Sequence, residues 1–186
     1  MNYLIVVDMQ NDFVSGALGT PEARAVVPAV AGRLAEAAAR GEEILFTRDT
    51  HGEDYLDTQE GRNLPVPHCV RGTEGWEIVP QLAEYTAGRT PIDKPAFGSR
   101  YLGAILKAQD EDLRKQGKPG VERVTLIGLC TDICVISNAL LVKAFLPEAV
   151  VAVDAACCAG VTPQSHQNAL AAMEACQIVV EHNHET

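Results

Sequence analysis

The chain has 186 residues, 47% of them hydrophobic and 22% charged, which is enough for one substantial buried core and leaves no need of a second domain. Its formal net charge of −10 argues against nucleic acid as a ligand, because phosphate-backbone binding relies on Lys and Arg to neutralise phosphates. No apolar stretch approaches the roughly 18 residues of a membrane span, and six cysteines without a secretory leader read as reduced thiols rather than a disulfide framework.

The opening segment MNYLIVVDMQ lacks a basic leader and its apolar run stops at Asp8, so it reads as a first strand, 3–7, of a cytoplasmic protein rather than a signal peptide. A helix is expected over 26–40 and a strand over 43–47. From 49 to 75 neither helical nor strand periodicity holds, and the Gly and Pro content marks a long loop of the kind that usually carries function. A helix over 76–86, a weaker strand near 90–92 and a helix over 99–116 come next. Strands at 124–127, 150–153 and 177–180 alternate with helices at 134–145 and 163–175. Gly41, Gly117 and Gly120 fall where helix ends should be. Short β-branched runs alternating with helices mark an α/β fold, a single domain over 1–186 with an open, mostly parallel sheet flanked by helices.

In open α/β sheets ligands bind beyond the carboxyl ends of the strands. Those ends carry Asp8, Asp49, Lys94, Cys130 and Asp154. Any one of the aspartates also fits a turn or a helix cap; together the five are expected to converge on one edge.

The segment GLCTDICV, residues 128 to 135, leaves several readings open for its two cysteines. Thr131 or Asp132 can cap a helix that starts here, which puts Cys134 in the first turn, where free N–H groups favour a thiolate. Cys130, at the strand exit, can lend its backbone N–H to the same spot. A redox pair normally has two intervening residues rather than three, and a zinc clip lacks further ligands in this segment. Two buried cysteines filling small volumes is the bland alternative. A nucleophilic thiol also needs a base and a stabilised oxyanion, and Asp8 with Lys94 can supply the carboxylate and a cation.

The blocks VVDMQNDF (6–13), DKPAFGS (93–99) and GLCTDICV followed by SNA resemble the three signature blocks of the isochorismatase-like cysteine hydrolases, the superfamily that contains nicotinamidases. The resemblance runs from Tyr3 to about Val180 and implies a Rossmann-like three-layer fold. It further implies a triad of Asp8 as general base, Lys94 as stabilising cation and Cys134 as nucleophile. The oxyanion hole would be the backbone N–H groups of Cys130 and Cys134, with a cis peptide at Leu129–Cys130. The implied reaction is hydrolysis of a small amide through a thioester, nicotinamide to nicotinate and ammonia, by a homo-oligomer.

A second site is expected in the long loop. Asp49 and His51, two residues apart, project to one side of an extended chain, and His68 arrives from the loop's far end. A carboxylate and two imidazoles suit Zn²⁺, Mn²⁺ or Fe²⁺, although a solvated turn is the commoner origin of an isolated Asp-x-His. By resemblance this is the ion that holds the pyridine nitrogen in nicotinamidases, with Glu60 as a further ligand, directly or through water. The sequence departs from that pattern where many nicotinamidases carry a Trp, three residues before the second metal histidine. Pro65 stands there, preceded by Leu64. Phe13, Leu64, Trp76, Phe97 and Tyr101 are the candidate substrate contacts, while His166, His182 and His184 are assigned to surface and tail. Two rivals stand beside this reading: a metal-independent amidase for another small amide, carbamoyl or ureido compound, and a non-catalytic ligand-binding member.

Overall fold

The computed structural model of the chain describes residues 1–183. Strand β1 (Asn2–Val7) sends Tyr3, Ile5 and Val7 into one apolar cluster and Leu4 and Val6 into another, as the two-residue period of a strand requires. A strand buried on both faces belongs in the middle of a parallel sheet, and β1 lies there.

After β1 come a short helix α1 (Asn11–Val14), the long α2 (Pro21–Arg40) and strand β2 (Glu43–Asp49). The following loop holds only the helical turns Tyr55–Asp57, α3 (Gln59–Asn63) and Glu74–Trp76. Next are α4 (Ala83–Thr86), β3 (Ile92–Lys94), α5 (Arg100–Lys115) and β4 (Arg123–Leu129). A π-helical turn, Thr131–Val135, leads into α6 (Ile136–Phe145), and β5 (Val150–Ala159), α7 (Pro163–Ala175) and β6 (Val179–Glu181) complete the described chain. The sheet order is β3-β2-β1-β4-β5-β6, and every pairing is parallel. The chain builds outward from β1 to β3, then crosses back to place β4 on the other side of β1. That reversal puts the carboxyl ends of β1 and β4 side by side, the usual ligand position in such sheets.

Helix α2 covers one face, packing Val27, Val30, Leu34 and Ala37 onto Leu4, Val6, Ile44 and Phe46. The other face is covered by α5, α6 and α7 through Leu102, Leu106, Ala139, Val142, Leu170 and Met173. No helix among the described residues is long and apolar enough to cross a membrane.

Several elements differ from their sequence-based bounds for local reasons. Helix α2 starts five residues before the expected 26, because Thr20 accepts a hydrogen bond from the Ala23 N–H at 3.0 Å and proline occupies the first turn. The helix expected over 76–86 is broken into turns. Pro80 interrupts it, and Val79 N–H is drawn to Met9 O at 2.9 Å. Strand β3 lies two residues beyond the expected 90–92, β6 starts at Val179, and β5 runs on to Ala159, so Asp154 is mid-strand rather than at a strand end. Gly41 and Gly117 take the left-handed conformation of helix ends. Gly120 does not, and is small because a Cβ there would meet the Asp110 carboxylate at 1.9 Å.

Gly128 is the residue on which the close approach of β1 and β4 depends. Its φ is +113°, and a Cβ would lie 2.1 Å from the carbonyl oxygen of Val7. Since the obstacle is backbone rather than a movable side chain, Gly128→Ala should lower the unfolding free energy by about 3 kcal/mol, read as a reduced urea midpoint. A wild-type midpoint would show that the two strands do not meet this closely.

Candidate active site

Asp8 follows β1 in a left-handed conformation, φ +48°, which aspartate tolerates better than most residues. Its Oδ1 accepts a hydrogen bond from Thr47 Oγ1 of β2 at 2.7 Å. Register places Asp49 beside Lys94, the last residue of β3. From there the Lys94 ammonium reaches three groups: it lies 2.7 Å from Asp8 Oδ2, 3.3 Å from Asp49 Oδ1 and 3.4 Å from Cys134 Sγ. It also donates to Ala96 O at 3.2 Å. Asp8, Lys94 and Cys134 are all buried. The structure brings these three residues of the sequence reading together.

Burial sets the proton positions. It pushes the Asp8 carboxyl up, and the charge of Lys94 only partly opposes it. Burial disfavours the ammonium of Lys94, but Asp8, Cys134 and Asp49 outweigh it and hold the proton tightly. The Cys134 thiol is raised well above its ordinary range, chiefly by burial and then by the charge of Asp8, with Lys94 opposing. At rest the sulfur is therefore a thiol beside a carboxylate, and the expectation that a capped helix start favours a thiolate is corrected. Neither Thr131 nor Asp132 caps the turn. Thr131 Oγ1 lies 2.8 Å from His166 Nδ1, and Asp132 accepts the N–H of Val161 at 3.1 Å.

The Leu129–Cys130 peptide is cis, and neither the Cys130 nor the Cys134 N–H takes part in a turn, loop or capping hydrogen bond. The Cys130 thiol itself is pushed up to about 12 by burial and Asp132. Asn138, one helical turn beyond Cys134, donates to Cys134 O at 2.8 Å and Phe97 O at 3.1 Å and accepts Ser99 N–H at 2.9 Å. It ties the cysteine turn to the segment after Lys94. Sequence reasoning missed Asn138 and Thr47. Their signals were available, since Asn138 sits in the SNA block and Thr47 is a polar residue inside an apolar strand.

Asp49, His51, Glu60 and His68 form a second cluster whose potential ligand atoms all lie within 4.8 Å of one another. His51 Nε2 is 3.1 Å from Asp49 Oδ2 and 3.6 Å from Glu60 Oε1; His68 Nε2 is 3.6 Å from Asp49 Oδ2 and 3.9 Å from Glu60 Oε1. His68 Nδ1 is 2.8 Å from Val66 O, a group that only accepts, so the neutral ring carries its hydrogen on Nδ1 and turns the Nε2 lone pair toward two carboxylates. Two imidazole nitrogens and two carboxylates thus converge on one spot, an arrangement that a divalent cation satisfies. A proton is the other remedy, and Asp49 and the Val66 carbonyl accordingly raise the His68 pKa against the effect of burial. Burial pushes the Asp49 carboxyl up, but hydrogen bonds from His51 and His68 and the charge of Lys94 prevail and hold it well below the usual carboxylate range. The donor set therefore fits Zn²⁺, Mn²⁺ or Fe²⁺.

The candidate substrate contacts separate. The Phe13 ring lies 5.5 Å from that of His68. Trp76 is occupied elsewhere: the Arg48 guanidinium lies 3.6 Å over its ring and its indole N–H donates to Thr50 Oγ1. Leu64, Phe97 and Tyr101 are exposed, at 38%, 45% and 67%. Tyr55, which the sequence did not single out, is fully buried with its ring 4.7 Å from His51 and 5.0 Å from His68, and its hydroxyl donates to Leu64 O. His166 is not a surface residue; it is half-buried against the cysteine turn. His182 is exposed, 3.1 Å from Asp154, and His184 lies outside the described residues.

The chain is 34% identical over 143 residues to the nicotinamidase/pyrazinamidase of Mycobacterium tuberculosis, covering 73% of this chain and 75% of the relative. The crystal structure of pyrazinamidase of Pyrococcus horikoshii in complex with zinc is 31% identical, with a TM-score of 0.74 over 96% of this chain and 97% of its own. The N-carbamoylsarcosine amidase of Thermoplasma acidophilum is 26% identical, with a TM-score of 0.74 over 100% and 98%. The Isochorismatase domain matches residues 2–184, nearly the whole chain, and the protein belongs to that family of hydrolases.

Proposed function

We propose that the protein, read as one hydrolase domain over 1–186, cleaves nicotinamide to nicotinate and ammonia through a thioester on Cys134. The observation that carries this reading is the position of the Lys94 ammonium, in contact with Asp8 Oδ2, Cys134 Sγ and Asp49 Oδ1 together. One cation there joins a base, a nucleophile and the edge of the four-residue cluster.

In the proposed reaction the Cys134 S–H proton passes to Asp8, which shares the Lys94 ammonium with the sulfur. The thiolate adds to the amide carbon while Lys94 balances the charge left in the buried site. Negative charge on the former carbonyl oxygen is met by the N–H groups of Cys130 and Cys134. Asp8 returns the proton to nitrogen, the C–N bond breaks and ammonia leaves. Water then attacks the thioester, giving its proton to Asp8, and the acid departs as the S–H bond is restored. Asp49, His51, His68 and Glu60 would hold the divalent ion, zinc or else manganese or iron, which when bound supplies a Lewis acid for a ring nitrogen. Phe13 and Tyr55 stand against the cluster's imidazoles and would flank the ring. The protein is further read as a cytoplasmic homo-oligomer with no nucleic-acid or membrane partner, in keeping with its −10 charge.

A metal-independent amidase for another small carboxamide or carbamoyl compound is the second reading. Pro65 in place of the expected aromatic residue and the likeness to an N-carbamoylsarcosine amidase favour it. Ammonia release over a panel of nicotinamide, pyrazinamide, benzamide and N-carbamoyl compounds decides between them. Nicotinamide should be the best substrate and benzamide, without the ring nitrogen, far poorer; preference for a carbamoyl compound overturns the nicotinamide assignment. In the same assay Cys134→Ala should lose about 10³-fold or more in kcat while remaining folded.

The raised Asp8 carboxyl gives a pH dependence. The base must be ionised, so kcat/KM should fall as pH drops through the raised pKa. The acid limb should lie above the ordinary aspartate value of about 3.9. A limb below that value in a pH–rate profile would refute the buried-base assignment.

Removing the ion should separate orientation from nucleophilicity. Chelation, or His51→Ala, should abolish nicotinamide hydrolysis yet leave the rate of Cys134 alkylation by iodoacetamide within about twofold of wild type. Full nicotinamide turnover in metal-free protein, verified by elemental analysis, would instead support the metal-independent reading.

A further inference from the structure

The turn that carries Cys130 and Cys134 is not held by its own sequence. It is five residues of π-helix, and its N-cap residue, Cys130, makes no side-chain capping bond. Thr131, the next residue, is completely buried. A buried hydroxyl without a partner is costly, and the partner given to this one comes from a different element: His166 Nδ1, 2.8 Å from Thr131 Oγ1.

His166 is itself firmly placed. Helix α7 starts with a reciprocal capping box between Thr162 and Ser165, and His166 N–H donates to Thr162 O at 3.0 Å. Gly160 makes room for it, since a Cβ there would come within 3.0 Å of His166 N, Cα and Cβ. Asp132 adds a second tie from the turn to the same segment through the Val161 N–H. Burial lowers the imidazole's pKa and Asp132 opposes this, leaving the ring neutral near pH 7.

We propose that His166 is a positioning residue for amide hydrolysis: through Thr131 it fixes the start of the turn that lies between Cys130 and Cys134, and so the direction of the oxyanion-binding N–H groups at its two ends. This rests on the reading of Cys134 as nucleophile and of Cys130 and Cys134 as the oxyanion donors. His166 touches no reacting atom, and its effect runs through one hydroxyl. Donors that act on charge developed in the transition state influence kcat more than substrate affinity, so a misdirected turn should lower turnover with little change in KM.

The test uses two variants that keep volume but break the bond, His166→Phe and Thr131→Val, and one that keeps a polar atom near Nδ1, His166→Asn, whose amide can serve as donor or acceptor whichever tautomer the histidine holds. Thermal denaturation of each shows that it is folded. Steady-state hydrolysis of nicotinamide should give about a tenfold lower kcat and a nearly unchanged KM for His166→Phe and for Thr131→Val. The double variant should be no worse than either single one, because both remove the same bond, and His166→Asn should recover most of the loss. Iodoacetamide alkylation of Cys134, which needs no substrate, is measured in parallel and should change at least threefold in His166→Phe and return toward wild type in His166→Asn. If nicotinamide is not a substrate of the wild type, the substrate assignment fails while the alkylation series still tests His166. Wild-type kcat in folded His166→Phe, multiplicative losses in the double variant, or no recovery in His166→Asn would each overturn the positioning role.

Discussion

A buried ammonium is the constraint around which this site is arranged. Lys94 is 1% exposed, and an unpaired cation at that depth would cost more than the fold could sustain. Its neighbours make the burial possible: Asp8 at 2.7 Å, Asp49 at 3.3 Å, and a thiol and a carbonyl completing the shell. Each neighbour comes from a separate part of the chain. Asp8 closes β1, Asp49 closes β2, Lys94 closes β3, and Cys134 lies in the turn after β4. The ion pairs therefore also tie three strand ends together, and the contact with Cys134 ties in the turn after the fourth. The lysine's value to chemistry follows from the same burial, because a charge kept from water acts strongly on a neighbouring thiol.

The architecture explains why such a cluster forms at this edge and not at the other. All strands run the same way, so every strand delivers its last residue to one side, and the strand order reverses between β1 and β4 there. Close packing of these two strands requires Gly128, where β4 meets the Val7 carbonyl. Above it the chain turns through a cis peptide into a π-helical turn stabilised from outside by Asn138, His166 and the Val161 N–H. The turn is thus held in place by tertiary partners.

What the sequence made legible follows the same division. Short β-branched apolar runs gave six strands within a few residues, because burial on both faces of a central strand leaves a compositional mark at each position. Asp8, Lys94 and Cys134 were legible as motif residues at strand ends, and Asp49, His51 and His68 as a spaced donor set. Glu60 was brought in through resemblance, and the structure places it within reach of both imidazoles. The illegible features depend on contacts distant in sequence. The helix expected over 76–86 gave way when Val79 paired with Met9, and β5 ran on because β4 continued beside it as far as Leu129. Thr131 resembled a cap but spent its hydroxyl on His166, 35 residues away. Tyr55 sat in a loop with no periodicity to give away its burial between two histidines.

The two oxygens of Asp49 face different sites, Oδ1 toward Lys94 and Oδ2 toward His51 and His68. The two clusters therefore share one carboxylate and must be counted as a single charged body. Three carboxylates, Asp8, Asp49 and Glu60, thus stand around the single ammonium of Lys94 and the two imidazoles. Any change of charge in one cluster is felt in the other through this one side chain, so neither can be altered as if the other were absent.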